Sequence, residues 1–151
     1  MTAARPRPAE SRDLDALERL EQGAFEADQL DRRALRHAIL SPTILALVAE
    51  GRRDDLDGYA LVQVRRGSRI GRLTSVAVAK AAAGRGLGRT LIAAAEDAAR
   101  EAGCDRMRLE VRADNERAIQ LYERGGYRRI ATVPDYYEDG TAALRFEKAL
   151  A

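Results

Sequence analysis

The chain is poor in the residues on which several common chemistries depend. Its 151 residues include one cysteine and one histidine. A single cysteine, Cys104, excludes an internal disulfide and fits a reducing compartment. With His37 far away in sequence, Cys104 makes a poor nucleophile pair and is expected to be a small residue at the start of a strand. No metal site is expected. No apolar run approaches the roughly 18 residues of a membrane span, and "MTAARPRPAE" lacks the apolar centre of a secretory signal. A membrane partner is therefore not expected, and a cytoplasmic location is. Nor is one sign of charge in excess, since 26 Lys and Arg oppose 24 Asp and Glu for a net charge of +2. That balance gives no reason to expect a nucleic-acid partner.

What is present is ordinary core material, 46% hydrophobic residues, enough for one globular domain over residues 1–151. Two prolines in "RPRPAE" limit any first strand to a short one at a sheet edge. Ser11 is placed to cap a helix carrying Leu14, Leu17 and Leu20, and Asp31 to cap a second that stops before Pro42. "TILALVAE" and "YALVQVRR" flank the polar turn "GRRDDLDG" as a hairpin, and "RIGRLTSVAVA" is the next strand. "RMRLEVR" alternates strictly, with Met107, Leu109 and Val111 on one face and Arg106, Arg108, Glu110 and Arg112 on the other. "NERAIQLYERGG" forms a helix with Ala118, Leu121 and Tyr122 on one stripe. "YRRIATV" and "TAALRFEKAL" close the chain as strands around the loop "PDYYEDG". The central order of strand, glycine loop, helix and strand implies a parallel pair with a right-handed crossover. The expected fold is α/β: a mixed, mostly antiparallel sheet of six to seven strands with one parallel pair and helices on both faces.

The stretch "SVAVAKAAAGRGLGRTLIAAAEDAAR" places Gly84, Gly86 and Gly88 where a helix begins, with Leu87, Leu91, Ile92, Ala95 and Ala99 on its apolar face and Gly103 at its end. Helix N-termini carry unpaired N–H groups, and glycine lets an anion approach them closely. An NTPase loop needs Gly-Lys-Ser/Thr, whereas Arg89-Thr90 follows the last glycine here. A dinucleotide fingerprint needs G-x-G-x-x-G near the first strand, and that is absent too.

The segment from Leu73 to Ile130 resembles the GNAT N-acetyltransferase superfamily, through the loop pattern [QR]-x-x-G-x-[GA] and the downstream N-x-x-A-x-x-L-Y-x-x-x-G-[FY] helix. "LEVRADNERAIQLYERGGY" and "PDYYEDG" look most like its RimI-like branch, which acetylates protein N-terminal amines. Ala83 stands where the loop has Arg or Gln, and Ala79-Lys80 where Asp-Pro is common; a lost guanidinium costs about 1 kcal/mol or more, offset in part by Arg85 and Arg89. The resemblance implies that acetyl-CoA binds at Gly84, Arg85, Gly86, Leu87, Gly88 and Arg89, with its pantetheine arm in a gap beside a bulged strand. It further implies pairing along Val76, Ala77 and Val78, and a contact from Asn115, which also caps its helix.

Amine acetylation needs a neutral amine, at a deprotonation penalty at pH 7 of about 1.4 kcal/mol for an α-amine and about 4.6 for a lysine. A carboxylate, directly or through water, is the natural base. Glu110 occupies the acid of the "LEVR" pattern and is the candidate, although pairing with Arg108 or Arg112 would weaken it. Tyr122 falls at the motif tyrosine, which the resemblance implies to be the general acid or thiolate stabiliser; a core aromatic is the alternative. Tyr127 reads as packing. Tyr136 and Tyr137 in the acidic loop are candidates for binding a cationic acceptor amine, against a plain solvated turn. The expected partners are acetyl-CoA and an amine, a protein N-terminus ahead of a polyamine or aminoglycoside, with the chain a monomer or homodimer. A non-catalytic acyl-CoA-binding module is the remaining alternative.

Overall fold

The computed structural model describes residues 5–24 and 29–150. Its strands are β1 (Arg7–Pro8), β2 (Ile44–Glu50), β3 (Leu56–Gln63), β4 (Ile70–Val78), β5 (Arg106–Arg112), β6 (Arg128–Val133) and β7 (Ala143–Ala149). Its α-helices are α1 (Leu14–Ala24), α2 (Arg32–Leu40), α3 (Leu87–Glu101) and α4 (Glu116–Arg124). The seven strands form one sheet in the order β1-β2-β3-β4-β5-β7-β6. Only β4 and β5 run parallel; the other neighbours are antiparallel. The proline-rich first strand is the two-residue edge strand that its missing N–H groups allow.

Both faces of the sheet are covered by helices, and the stripes of α1 and α3 are those expected. Leu91, Ile92, Ala95 and Ala99 of α3 pack against Val62, Leu73, Met107, Leu109, Val111 and Phe146. On the opposite face, Leu14, Leu17 and Leu20 of α1 and Leu35 and Ala38 of α2 pack against Val48, Tyr59, Leu61 and Ala77. Asp31 caps α2 as expected, its Oδ1 accepting from the Ala34 N–H at 2.8 Å. Gly103 terminates α3 with φ at +95°. The start of α1 differs from expectation. Ser11 is not its cap but opens a single 3₁₀ turn, Ser11–Asp13, ahead of the helix. Glu10 holds the N-cap position of that turn, and Asp13 three residues on accepts from the Glu10 N–H at 2.7 Å while Arg7 of β1 holds it at 2.9 Å, a capping box of two carboxylates in place of the serine hydroxyl.

Two irregularities around β4 set the shape of the molecule. Leu61 pairs with Ser75 while Val62 pairs with Leu73, which leaves Thr74 as an extra residue, a β-bulge. The pairing of β4 with β5 covers Ile70, Gly71 and Arg72 and goes no further. At the other edge of β4, Gly58 of β3 lies beneath α3: a Cβ there would stand 2.7 Å from Leu91 Cδ1 and 2.8 Å from the Ala77 carbonyl oxygen. Both contacts are too short to keep, so either α3 or β4 must move. Gly58→Ala is therefore expected to destabilise the fold by about 1–3 kcal/mol, as overpacking does. A thermal unfolding scan showing an unchanged or higher Tm would contradict this packing.

Candidate active site

Past Arg72 the two parallel strands separate. The Ala79 N–H donates to the Asp57 carbonyl at 2.7 Å, so that residue faces β3. Backbone direction alternates along a strand. Ala77 and Ser75 therefore face β3 as well, and the N–H and C=O groups of Val76 and Val78 are directed into the space between β4 and β5. A strand edge lies open inside the sheet, able to pair with an extended ligand.

This opening leads into a cleft of about 740 Å³. Val76, Glu110, Asn115, Tyr122 and Tyr137 all line it, drawn from β4, β5, the start of α4 and the β6–β7 loop. Ala77 does not, because its side chain is buried on the other face against α1. Asn115 caps α4, its Oδ1 accepting from the Ala118 N–H at 3.1 Å, which leaves its amide N–H groups for the cleft.

Glu110 lies opposite the buried Met107, Leu109 and Val111, as the alternation requires. Its ion-pair partners are neither Arg108 nor Arg112. Arg72 of β4 binds Oε1, and the Arg145 Nε of β7 donates to Oε2 at 2.8 Å. Arg108 pairs instead with Glu147 at 2.6 Å, and Arg112 with Asp114 and Asp139. The Glu110 side chain is 8% exposed, so these cross-strand partners fix its position.

Tyr122 projects from α4 into the cleft, with its ring edge-on to Tyr127 at a centroid separation of 5.7 Å. Burial, with Tyr137 nearby adding to it, pushes its phenol up to about 12. Tyr127 is core, as expected, and its hydroxyl donates to the buried Glu96 at 2.8 Å. In the β6–β7 loop, Arg112 holds Asp139 down to about 2 and lies over the Tyr137 ring, 4.9 Å from its centroid. One face of that ring is thus occupied by the protein's own cation. Tyr136, more exposed, packs edge-on against Tyr137 and reaches Arg72 at 3.4 Å.

The glycine loop sits at the end of β4. Gly84 and Gly86 have φ of +83° and +76°, so their backbone is one that side-chain-bearing residues rarely adopt. Gly88 lies within the first turn of α3, and a Cβ there would meet Leu121 of α4 at an ordinary 3.6 Å. The Thr90 N–H is the first to bond back within the helix, to Gly86 O at 3.1 Å. The N–H groups of Leu87, Gly88 and Arg89 have no intrahelical acceptor and present a ready anion site. Counted back from Gly84, the Arg-or-Gln position of the loop pattern is Ala81 rather than Ala83. Both alanines are exposed, and neither supplies a guanidinium.

One cleft residue escaped the sequence reading. Glu21 of α1 is buried, accepts from the Tyr59 hydroxyl and takes the Leu30 N–H at 2.7 Å. It lines the cleft together with Glu110 and Tyr122. The available signal was a charged residue on the same helical stripe as Leu14 and Leu17. Among the described residues, no cluster of three metal-ligating side chains occurs.

The profile of the Acetyltransferase (GNAT) family matches residues 12–127. An uncharacterized N-acetyltransferase of Methanocaldococcus jannaschii is 35% identical over 136 residues, covering 89% of this chain and 84% of the relative. The crystal structure of the ribosomal-protein-S18-alanine N-acetyltransferase from Escherichia coli superposes with a TM-score of 0.84 at 26% identity, covering 97% of this chain and 93% of that one. Arabidopsis thaliana NAA60, solved in complex with acetyl-CoA, shares the fold with a TM-score of 0.85 at 19% identity over 98% of both chains.

Proposed function

Because the chain belongs to the GNAT acetyltransferase family, we propose that this N-acetyltransferase moves the acetyl group of acetyl-CoA onto a peptide or protein N-terminal amine, by direct transfer in a ternary complex. One observation carries this reading: the open edge of β4 runs from the cleft that Val76 shares with Glu110 and Tyr122 to Val78, whose side chain lies beside Gly88 in the first turn of α3. The pantetheine arm pairs with Val76 and Val78, and the diphosphate sits on the N–H groups of Leu87, Gly88 and Arg89 with Arg85 and Arg89 beside it. The similarity to a ribosomal-protein alanine acetyltransferase favours an N-terminal acceptor over a small amine.

Glu110, directly or through water, takes the proton of the acceptor amine. Each of its oxygens accepts one guanidinium N–H and keeps a further lone pair. The amine nitrogen attacks the thioester carbon, an N–C bond forms, and the C–S bond breaks. A phenol at about 12 lies some 3.5 units above a thiol near 8.5, so full proton transfer to the departing thiolate runs uphill by about 5 kcal/mol. Tyr122 thus acts first as a hydrogen-bond donor to that sulfur, and the proton itself is the one the nitrogen, cationic after attack, sheds to Glu110 or its water, which passes it on to the thiolate. The face of Tyr137 turned away from Arg112, and Tyr136 beside it, border the acceptor.

Acetyl-CoA is expected to raise the Tm of the wild type by binding the native state alone. Arg89→Glu, an exposed change in the first turn of α3, is expected to weaken that binding by about tenfold or more. Equal affinity, read by calorimetry, would remove the diphosphate from this loop. Tyr122→Phe keeps the ring packing and is expected to lower kcat by about 10²–10⁴-fold with the Tm retained. Thiol release across a panel of peptide and small-molecule amines provides the assay. The same assay run against pH tests the role given to Tyr122. kcat/KM for an N-terminal peptide should rise through about pH 8 as its α-amine loses a proton, then level off. A phenol raised to about 12 keeps its proton until pH passes that value, so no fall is expected below pH 11. A falling limb near pH 10 would contradict the role given to Tyr122.

A further inference from the structure

A second concavity, of about 330 Å³, adjoins the cleft and shares Glu110 with it. Arg65, Arg72, Arg108 and Arg145 line it, with Gln63 beside them and Glu110 the one carboxylate in the lining. The sheet explains the crowding. Arg72 and Arg108 are register partners across the parallel pair, and Arg145 stands opposite Glu110 on β7. Like charges directly across a sheet repel. Glu110 alone serves both Arg72 and Arg145, Glu147 serves Arg108, and Arg65 makes no ion pair among the described residues. The helices on this face, α1 and α2, pack on β2, β3 and β4. The side chains of Arg72, Arg108 and Arg145 are accordingly left 46%, 36% and 34% exposed, accessible to a ligand.

We propose that this arginine pocket is an acceptor-specificity site, which selects an amine carrying a carboxylate a short distance from the nitrogen. The inference rests on Glu110 handling the acceptor amine. Arg108 lies two residues from Glu110 on the same face of β5, about 7 Å away at strand spacing. An extended acceptor reaches that far within its first two residues. Guanidinium groups in a concave, part-desolvated setting bind carboxylates through charge-assisted, often bidentate hydrogen bonds. An anion here relieves the repulsion that Glu110 leaves unbalanced, whereas a basic second residue adds to it.

The test is kcat/KM at low salt on matched acceptors: peptides identical except for Asp, Asn or Lys at the second residue, and γ-aminobutyrate against its amide. The Asp peptide is expected to exceed the Asn peptide by roughly tenfold or more, with Lys lowest. That advantage should shrink as salt screens the exposed charges. Arg65→Glu should narrow the Asp advantage and raise the Lys peptide, and its Tm reports whether the fold is intact. Equal rates for Asp, Asn and Lys peptides, all well turned over, would overturn the pocket and leave the acetyltransferase reading standing. A preference confined to γ-aminobutyrate would support the pocket and transfer the acceptor to small amino acids. Turnover of no acceptor in the set, with acetyl-CoA bound, would overturn both readings together.

Discussion

Hydrogen bonding between β4 and β5 stops at Arg72 and Arg108, and the remaining features of the site depend on that interruption. A strand bonded on both sides offers nothing to a ligand. Beyond the bulge at Thr74, β4 is bonded to β3 alone, and the backbone groups of Val76 and Val78 face open space. Unsatisfied backbone groups cost about 1–3 kcal/mol each when buried. They persist here because the separated strands open a cleft rather than closing over them. The crossover through α3 then brings a helix N-terminus to the end of the same open edge, and α4 supplies Asn115 and Tyr122 from the far side. A strand edge, a dipole end and a phenol thus follow one another along the path proposed for the cosubstrate.

The same separation has an electrostatic consequence. With β4 and β5 diverging and α1 and α2 packed on β2, β3 and β4, the polar face of the central strands is held largely by ion pairs. Arg72, Glu110 and Arg145 link three strands, and Arg112 ties β5 to the β6–β7 loop through Asp139. Glu110 is consequently structural as well as a candidate base. Removing its charge leaves two guanidinium groups facing each other with no carboxylate between them, and breaking a part-buried pair costs more than the pair contributes. Effects on rate at Glu110 therefore need to be read beside effects on stability. The Tyr122 ring packs on Tyr127, but Tyr122→Phe keeps that packing and removes only the hydroxyl, which makes it the cleaner probe of the chemistry.

Local signals were legible in the sequence: the α3 and α4 stripes, the Asp31 and Asn115 caps, the glycine loop, the strict alternation of β5 and the parallel pair. All but the last depend on residues within about a turn or a strand of one another, and the parallel pair follows from the order of strand, glycine loop, helix and strand. What the sequence did not show depends on register. Arg72 and Arg145 reach Glu110 from 38 and 35 residues away, and no local pattern distinguishes them from Arg108 and Arg112, its sequence neighbours. Glu21 sits on the apolar stripe of α1, but the Tyr59 hydroxyl that satisfies it there comes from 38 residues away. Ser11 lost the helix start to Glu10 and Asp13, with Arg7 alongside from β1. The covering of one Tyr137 face by Arg112 likewise follows from where the β6–β7 loop lands, not from its composition.

Hydrogen exchange of individual backbone amides, with and without acetyl-CoA, reads the open strand edge most directly. Saturating acetyl-CoA is expected to slow exchange at Val76 and Val78 and at Leu87, Gly88 and Arg89, while Ala77, whose amide faces β3, changes little. Protection appearing elsewhere, with Val76 and Val78 exchanging as fast in the complex as in the free protein, would show that the gap between β4 and β5 does not hold the cosubstrate.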